Sequence, residues 1–135
     1  MATGFLLEVV TPDRLVLSQT VEEVTAPGVE GEFGVLPGHT PFFTTLTVGQ
    51  IMYRARQEPR YMAVTGGFVE VLPDRVTILA EAAELREEID LERAQQAKER
   101  AQERLKQLSP GDKDYYRSEA ALQRALNRLQ VASQK

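Results

Sequence analysis

Residues 76–108 read VTILAEAAELREEIDLERAQQAKERAQERLKQL, and the period of the chain changes within this stretch. The segment 76–80 is short, β-branched and apolar, as a strand requires. From Leu91 onward the apolar residues Leu91, Ala94, Ala97, Ala101, Leu105 and Leu108 recur at steps of three or four, which places them on one helical face. No Gly or Pro interrupts the run between Leu85 and Ser109. Downstream, Ser109-Pro110-Gly111-Asp112 breaks the pattern. Tyr115, Ser118, Leu122, Ala125 or Leu126, and Leu129 then repeat the same spacing. The expectation is an αα-hairpin with a short connection.

Upstream of the change the chain reads as strands. Segments 5–11, 15–25, 44–48, 51–56, 61–65, 68–72 and 76–80 carry the β signal. Pro12-Asp13, Pro27-Gly28, Pro37-Gly38, Gly49, Glu58-Pro59, Gly66-Gly67 and Pro73-Asp74 separate them as breakers. Short strands at such spacing predict an antiparallel β-sandwich or barrel. The fold class expected is therefore an N-terminal antiparallel sandwich or barrel, residues 1–86, followed by a C-terminal antiparallel two-helix hairpin, residues 87–135.

Charge divides the chain at the same place. Residues 1–85 hold 5 basic and 11 acidic side chains, net −6; residues 86–135 hold 11 and 9, net +2. The total of −4 and a pI near 5.1 make nucleic acid a poor electrostatic match. With no cysteine there is no disulfide framework, thiolate nucleophile or Cys-based zinc site. No apolar run approaches the ~20 residues of a spanning helix, and the start MATGFLLEVV lacks the basic flank of a secretory signal. Membrane association is therefore expected to run through a partner.

The hairpin seam is rich in alanine. Buried apolar area stabilises by ~25 cal/mol per Å², so such a seam contributes much less than one built of leucine. Two helices of this length are marginal alone. They are expected to dock on something or to exchange between arrangements; a permanently docked hairpin is the alternative.

Several motifs together carry a family resemblance. Residues 30–41, EGEFGVLPGHTP, resemble the signature loop and strand of F-type ATP synthase epsilon subunits. Val9-Val10-Thr11-Pro12-Asp13 resembles the family's first strand and turn. Gly66-Gly67-Phe68-Val69-Glu70-Val71, followed by Val76-Thr77-Ile78-Leu79, resembles its last hairpin. Ile89-Asp90-Leu91-Glu92-Arg93-Ala94 resembles the opening of its first C-terminal helix. The likeness spans nearly the whole chain, in order. It implies a sandwich at the foot of the central stalk, against the gamma subunit and the c-ring. It also implies a hairpin that lies folded or extends into the alpha/beta catalytic head, where it blocks rotation in the hydrolysis direction. The implied location is peripheral, on the cytoplasmic face of the bacterial plasma (inner) membrane.

The resemblance also implies roles for particular residues, each with a plainer alternative. Glu30, Gly31 and Glu32 would face the polar loops of the c-ring, with Glu32 the preferred contact; tight loops at the sandwich rim are the plainer reading. His39, the only histidine, would lie near the gamma interface. No Ser, Cys or carboxylate constellation surrounds it in sequence, which speaks against a general base or metal ligand. Gly66-Gly67 lacks the Lys-Ser/Thr ending of a phosphate loop and reads as a hairpin turn or bulge.

Asp90 is expected to cap a helix N-terminus. Some members of the family bind ATP with a motif that Glu84, Asp90, Arg93, Ala94 and Arg100 match, and bound ATP holds their hairpin folded. Arg93 and Arg100 are seven residues apart, hence on one face, where guanidinium forks suit phosphate oxygens; a solvated, charge-paired face is the plainer reading. Lys113, Arg117, Arg124 and Arg128 would meet an acidic segment of the catalytic beta subunits. No cofactor or metal is required on this reading, with ATP a regulatory ligand. The expected protein is not an enzyme, since no nucleophile–base pair, metal cluster or cofactor loop is found. A small-ligand binding protein and a purely structural adaptor are the competing readings.

Overall fold

The computed structural model describes residues 4–134. The chain divides into two compact units, residues 1–86 and 87–135.

The first unit holds eight strands: β1 (Phe5–Val10), β2 (Leu15–Val21), β3 (Glu23–Gly28), β4 (Gly31–Val35), β5 (Phe42–Ala55), β6 (Glu58–Leu72), β7 (Arg75–Ala80) and β8 (Ala83–Leu85). They pair in the order β2-β1-β7-β6-β5-β3-β4, with β8 also on β6. Every pairing is antiparallel except β1 with β7, which is parallel. Strict alternation drives the burial. Phe5, Leu7 and Val9 of β1, and Val76, Ile78 and Ala80 of β7, point into one core with Val69 and Val71 of β6. That core continues through Val21, Val24, Ile51, Tyr53, Met62 and Val64. The end strands β2 and β4 are the most exposed, as edges are.

Several expected breaks are not breaks. Gly49 and Gly66-Gly67 lie inside the continuous strands β5 and β6. The register with β5 holds across the glycine pair, from Leu46↔Gly67 to Val48↔Thr65, so it is neither a turn nor a bulge. Instead β6 changes partner there, pairing with β7 at Gly67–Leu72 and with β8 at Met62–Val64. Gly66 and Gly67 have φ of +116° and +125°, and a Cβ on Gly67 would lie 2.0 Å from the Leu79 carbonyl oxygen. Close backbone approach explains the glycine. The true β5–β6 turn uses Arg56 and Gln57, both at positive φ. A single expected strand over 15–25 is two, separated at Glu22, and β3 continues through Pro27 to Gly28. Residues 31–35 form the edge strand β4, and the loop of that segment follows it before β5 begins at Phe42.

The second unit follows a 3₁₀ turn, Arg86–Glu88, and contains α1 (Leu91–Gln107) and α2 (Lys113–Ala132), which pack against each other. Asp90 caps α1, its side chain accepting from the Arg93 N–H at 3.1 Å. The break at 109–112 is closed by Asp112, whose carboxylate accepts from the Ser109 N–H at 3.2 Å. The buried positions are Ala94 and Ala101 on α1 and Ser118, Ala125 and Val131 on α2. Leu91, expected on the buried face, is 56% exposed. It is the first helical residue, so no preceding turn covers it.

Candidate functional site

The outer face of the sandwich carries a surface that inward-facing alternation does not explain. Val10, Leu79 and Phe68 lie opposite one another across β1, β7 and β6. All point away from the core. Phe68 is 49% exposed, Leu79 53% and Phe43, one strand further on, 64%. Phe43 stacks on Phe68 with ring centres 5.7 Å apart. Val10, Pro12, Phe68 and Leu79 line a shallow, mainly apolar groove of about 400 Å³. Glu70 and Thr77 share a smaller cleft with the two phenylalanines. A contiguous apolar patch with a carboxylate at its margin is the arrangement of a protein-docking face. The sequence reading missed it, although the signal was there: Phe43, Phe68 and Leu79 are large apolar residues in the outward phase of strands whose inward phase is already apolar.

Glu30 is exposed in the β3–β4 turn, Gly31 opens β4 at φ +128°, and Glu32 is exposed on that edge strand opposite Pro27. All three are accessible. His39 is half-buried in the loop between β4 and β5. Its Nδ1 lies 2.8 Å from the Leu36 carbonyl oxygen, and its Nε2 is hydrogen-bonded to the Leu72 carbonyl. The ring meets Phe5 edge-on at 5.1 Å. Both ring nitrogens face backbone carbonyl oxygens, so the side chain ties this loop to the end of β6.

Glu84 is half-buried on β8, opposite Ala63 on β6, while Asp90, Arg93, Ala94 and Arg100 belong to the helical unit. Asp90 and Arg93 are exposed beside each other at the cap; Ala94 is buried, 2% exposed, so its methyl is a packing group. Arg100 is exposed and lines a groove between the helices together with Arg104 and Arg117; Arg93 does not line it. Lys113 and Arg124 are exposed, and Arg128 is half-buried. The basic residues of α2 are therefore spread along the helix, with only Arg117 joined to the α1 arginines. Among the described residues no cluster of His, Asp or Glu could hold a metal ion, and no helix is long and apolar enough to cross a membrane.

Comparison with known proteins follows the same division. Residues 4–86 match the family model of the ATP synthase delta/epsilon chain beta-sandwich domain, and residues 87–133 match that of its long alpha-helix domain. An ATP synthase epsilon chain of Syntrophotalea carbinolica is 54% identical, over 98% of this chain and 96% of the relative. That of Nitratidesulfovibrio vulgaris is 53% identical, over 97% of each. Among solved structures, a chain of the Euglena gracilis mitochondrial ATP synthase OSCP/F1/c-ring assembly superposes with a TM-score of 0.82 at 28% identity, covering 99% of this chain and 84% of that one. A chain of the Tetrahymena thermophila central stalk and c-ring, 14% identical with a TM-score of 0.59, shares the fold. Two domains in the right order, matched end to end at more than half identity, leave one assignment: the chain belongs to the ATP synthase delta/epsilon chain family, as an epsilon subunit of the F-type central stalk.

Proposed function

We propose that the sandwich is a non-catalytic coupling piece of the rotor, held to the gamma subunit through the apolar outer face of β1, β7, β6 and β5. The observation that carries this reading is the row Val10–Leu79–Phe68 with Phe43 stacked beside it, large side chains left in water on an otherwise well-ordered sheet. Burying them in a partner gains ~25 cal/mol per Å² and costs little ordering, because the strands already hold them in place. His39 contributes to the same contact by fixing the loop before β5. Glu30, Gly31 and Glu32 reach the polar loops of the c-ring from edge strand β4, with Glu32 pairing a basic loop residue. The protein sits peripherally on the cytoplasmic face of the bacterial plasma membrane through these partners and performs no chemistry of its own.

The hairpin is the regulatory element. Its alanine-lined seam keeps folded and extended arrangements within a few kcal/mol, so a ligand with differential affinity selects between them. Extended, Lys113, Arg117, Arg124 and Arg128 meet an acidic segment of the beta subunits and stop hydrolysis mechanically. Folded, it binds ATP through Asp90, Arg93 and Arg100.

Co-purification of a Phe68→Asp variant with gamma tests the docking face. Phe68 is outward-facing, so the variant is expected to melt within a few degrees of wild type yet lose about tenfold or more in gamma affinity. Wild-type affinity in the folded variant would remove the face from the contact.

A further inference from the structure

Beside the apolar row of the outer sandwich face runs a second row of different chemistry. Glu8 on β1 lies opposite Thr77 on β7, Thr77 lies opposite Glu70 on β6, and Glu70 lies opposite Phe43 on β5. Glu8, Thr77 and Glu70 alternate with the buried residues Leu7 and Val9, Val76 and Ile78, and Val69 and Val71, so all three point outward. Glu70 and Thr77 share a cleft of about 120 Å³ with Phe43, Phe68 and Leu79. Among the described residues neither carboxylate enters an ion pair. Arg75, two residues before Thr77 on the same face, pairs with neither.

We infer that the gamma segment covering this face carries a basic side chain, an arginine or a lysine, that lies over Thr77 and pairs with Glu8 and Glu70 together. The inference rests on the docking reading proposed above and adds the chemistry of the partner. Covering Phe43 and Phe68 also takes water from Glu70, which shares their cleft. A carboxylate desolvated without a partner is strongly unfavourable, so the covering surface has to supply donors. The backbones of β1 and β6 are two strand spacings apart, roughly 10 Å. Two glutamate side chains are long enough to close that span onto one cation. A guanidinium has donors for both carboxylates and for the Thr77 hydroxyl, and its planar fork suits carboxylate oxygens. The neighbouring row Val10–Leu79–Phe68 then takes an apolar side chain of the same segment. A partner without the cation leaves two like charges buried, so the row selects against it. The net charge of −6 on residues 1–85 steers the same kind of partner at longer range.

The affinity of the full chain for purified gamma, measured by titration calorimetry at low and at raised salt, tests the inference. Glu8→Gln and Glu70→Gln are each expected to weaken binding about tenfold at low salt and to flatten its salt dependence. Glu58→Gln removes one carboxylate in the β5–β6 turn, away from this face, and is expected to bind within about twofold of wild type. The two row variants change outward-facing side chains, and thermal melts check that the sandwich is intact. Wild-type affinity in Glu8→Gln and Glu70→Gln, with binding lost in Phe68→Asp, overturns the cation seat and leaves the docking face standing. Equal weakening by Glu58→Gln also overturns it, since the attraction would then belong to the whole acidic domain. Failure of the docking reading itself looks different: Phe68→Asp then binds gamma as wild type does.

Discussion

The two units of this chain bury different things. In the sandwich the fully buried side chains are Leu7, Ile51, Met62, Ile78 and a large set of valines. In the hairpin even the buried positions, taken together, are three alanines, one serine and one valine. At ~0.8 kcal/mol per buried CH₂, each alanine of the seam contributes far less than each isoleucine of the sheet. Helix propensity and capping therefore carry a larger share of the hairpin's stability than of the sandwich's. Side-chain size alone separates a sandwich filled with branched aliphatic residues from a helix pair whose buried positions are mostly alanine.

The strongest way to break that contrast is to attack the sandwich at its least tolerant backbone. Gly67→Ala sets a methyl 2.0 Å from the Leu79 carbonyl oxygen at a φ of +125°. Neither atom can yield without parting β6 from β7. A loss of about 4 kcal/mol or more is expected, a large fraction of a small domain's stability. Urea unfolding reads it directly, and a loss under ~1 kcal/mol would show that the β6 bend is not constrained as described.

A smaller effect sharpens the same contrast. Ile78 is fully buried where β7 meets β1 and β6. Ile78→Ala is expected to cost about 3 kcal/mol through lost burial and a residual cavity. Chemical denaturation with tyrosine fluorescence measures it, and a cost below that of any single hairpin truncation would contradict the inequality drawn here.

Most of the architecture was legible in the sequence because period is a local property. The switch from strand alternation to helical spacing near residue 86 needs only nearest neighbours in the chain, and so does the Asp90 cap. What was misread depended on partners distant in sequence. Gly49 and Gly66-Gly67 look like breakers locally, yet pairing with opposed strands carries β5 and β6 straight through them. The parallel β1–β7 pair joins residues about seventy positions apart, which no local pattern encodes. The same limit applied to the candidate sites. Arg93 and Arg100 are related by helical spacing, which sequence reveals. The meeting of Arg100 and Arg104 with Arg117 needs the hairpin to close, and the Phe43–Phe68 stack needs β5 laid against β6.

The smallest expected effect is the one that separates structure from regulation at the start of α1. Asp90 accepts from the Arg93 N–H at 3.1 Å, so Asp90→Ala should cost the hairpin about 1 kcal/mol. Faster hydrogen exchange confined to the first turn of α1 would register it. Asp90→Asn keeps an acceptor of nearly equal capping strength and removes the charge. If the carboxylate also serves nucleotide, Asp90→Asn keeps wild-type exchange rates in that turn while binding ATP several-fold more weakly. If Asp90→Asn binds ATP as wild type does, the residue is a cap and nothing more. The nucleotide reading would then have to stand on Arg93 and Arg100 without it. A cap is needed whether or not the hairpin ever moves; a carboxylate that nucleotide reads is needed only by a hairpin that does.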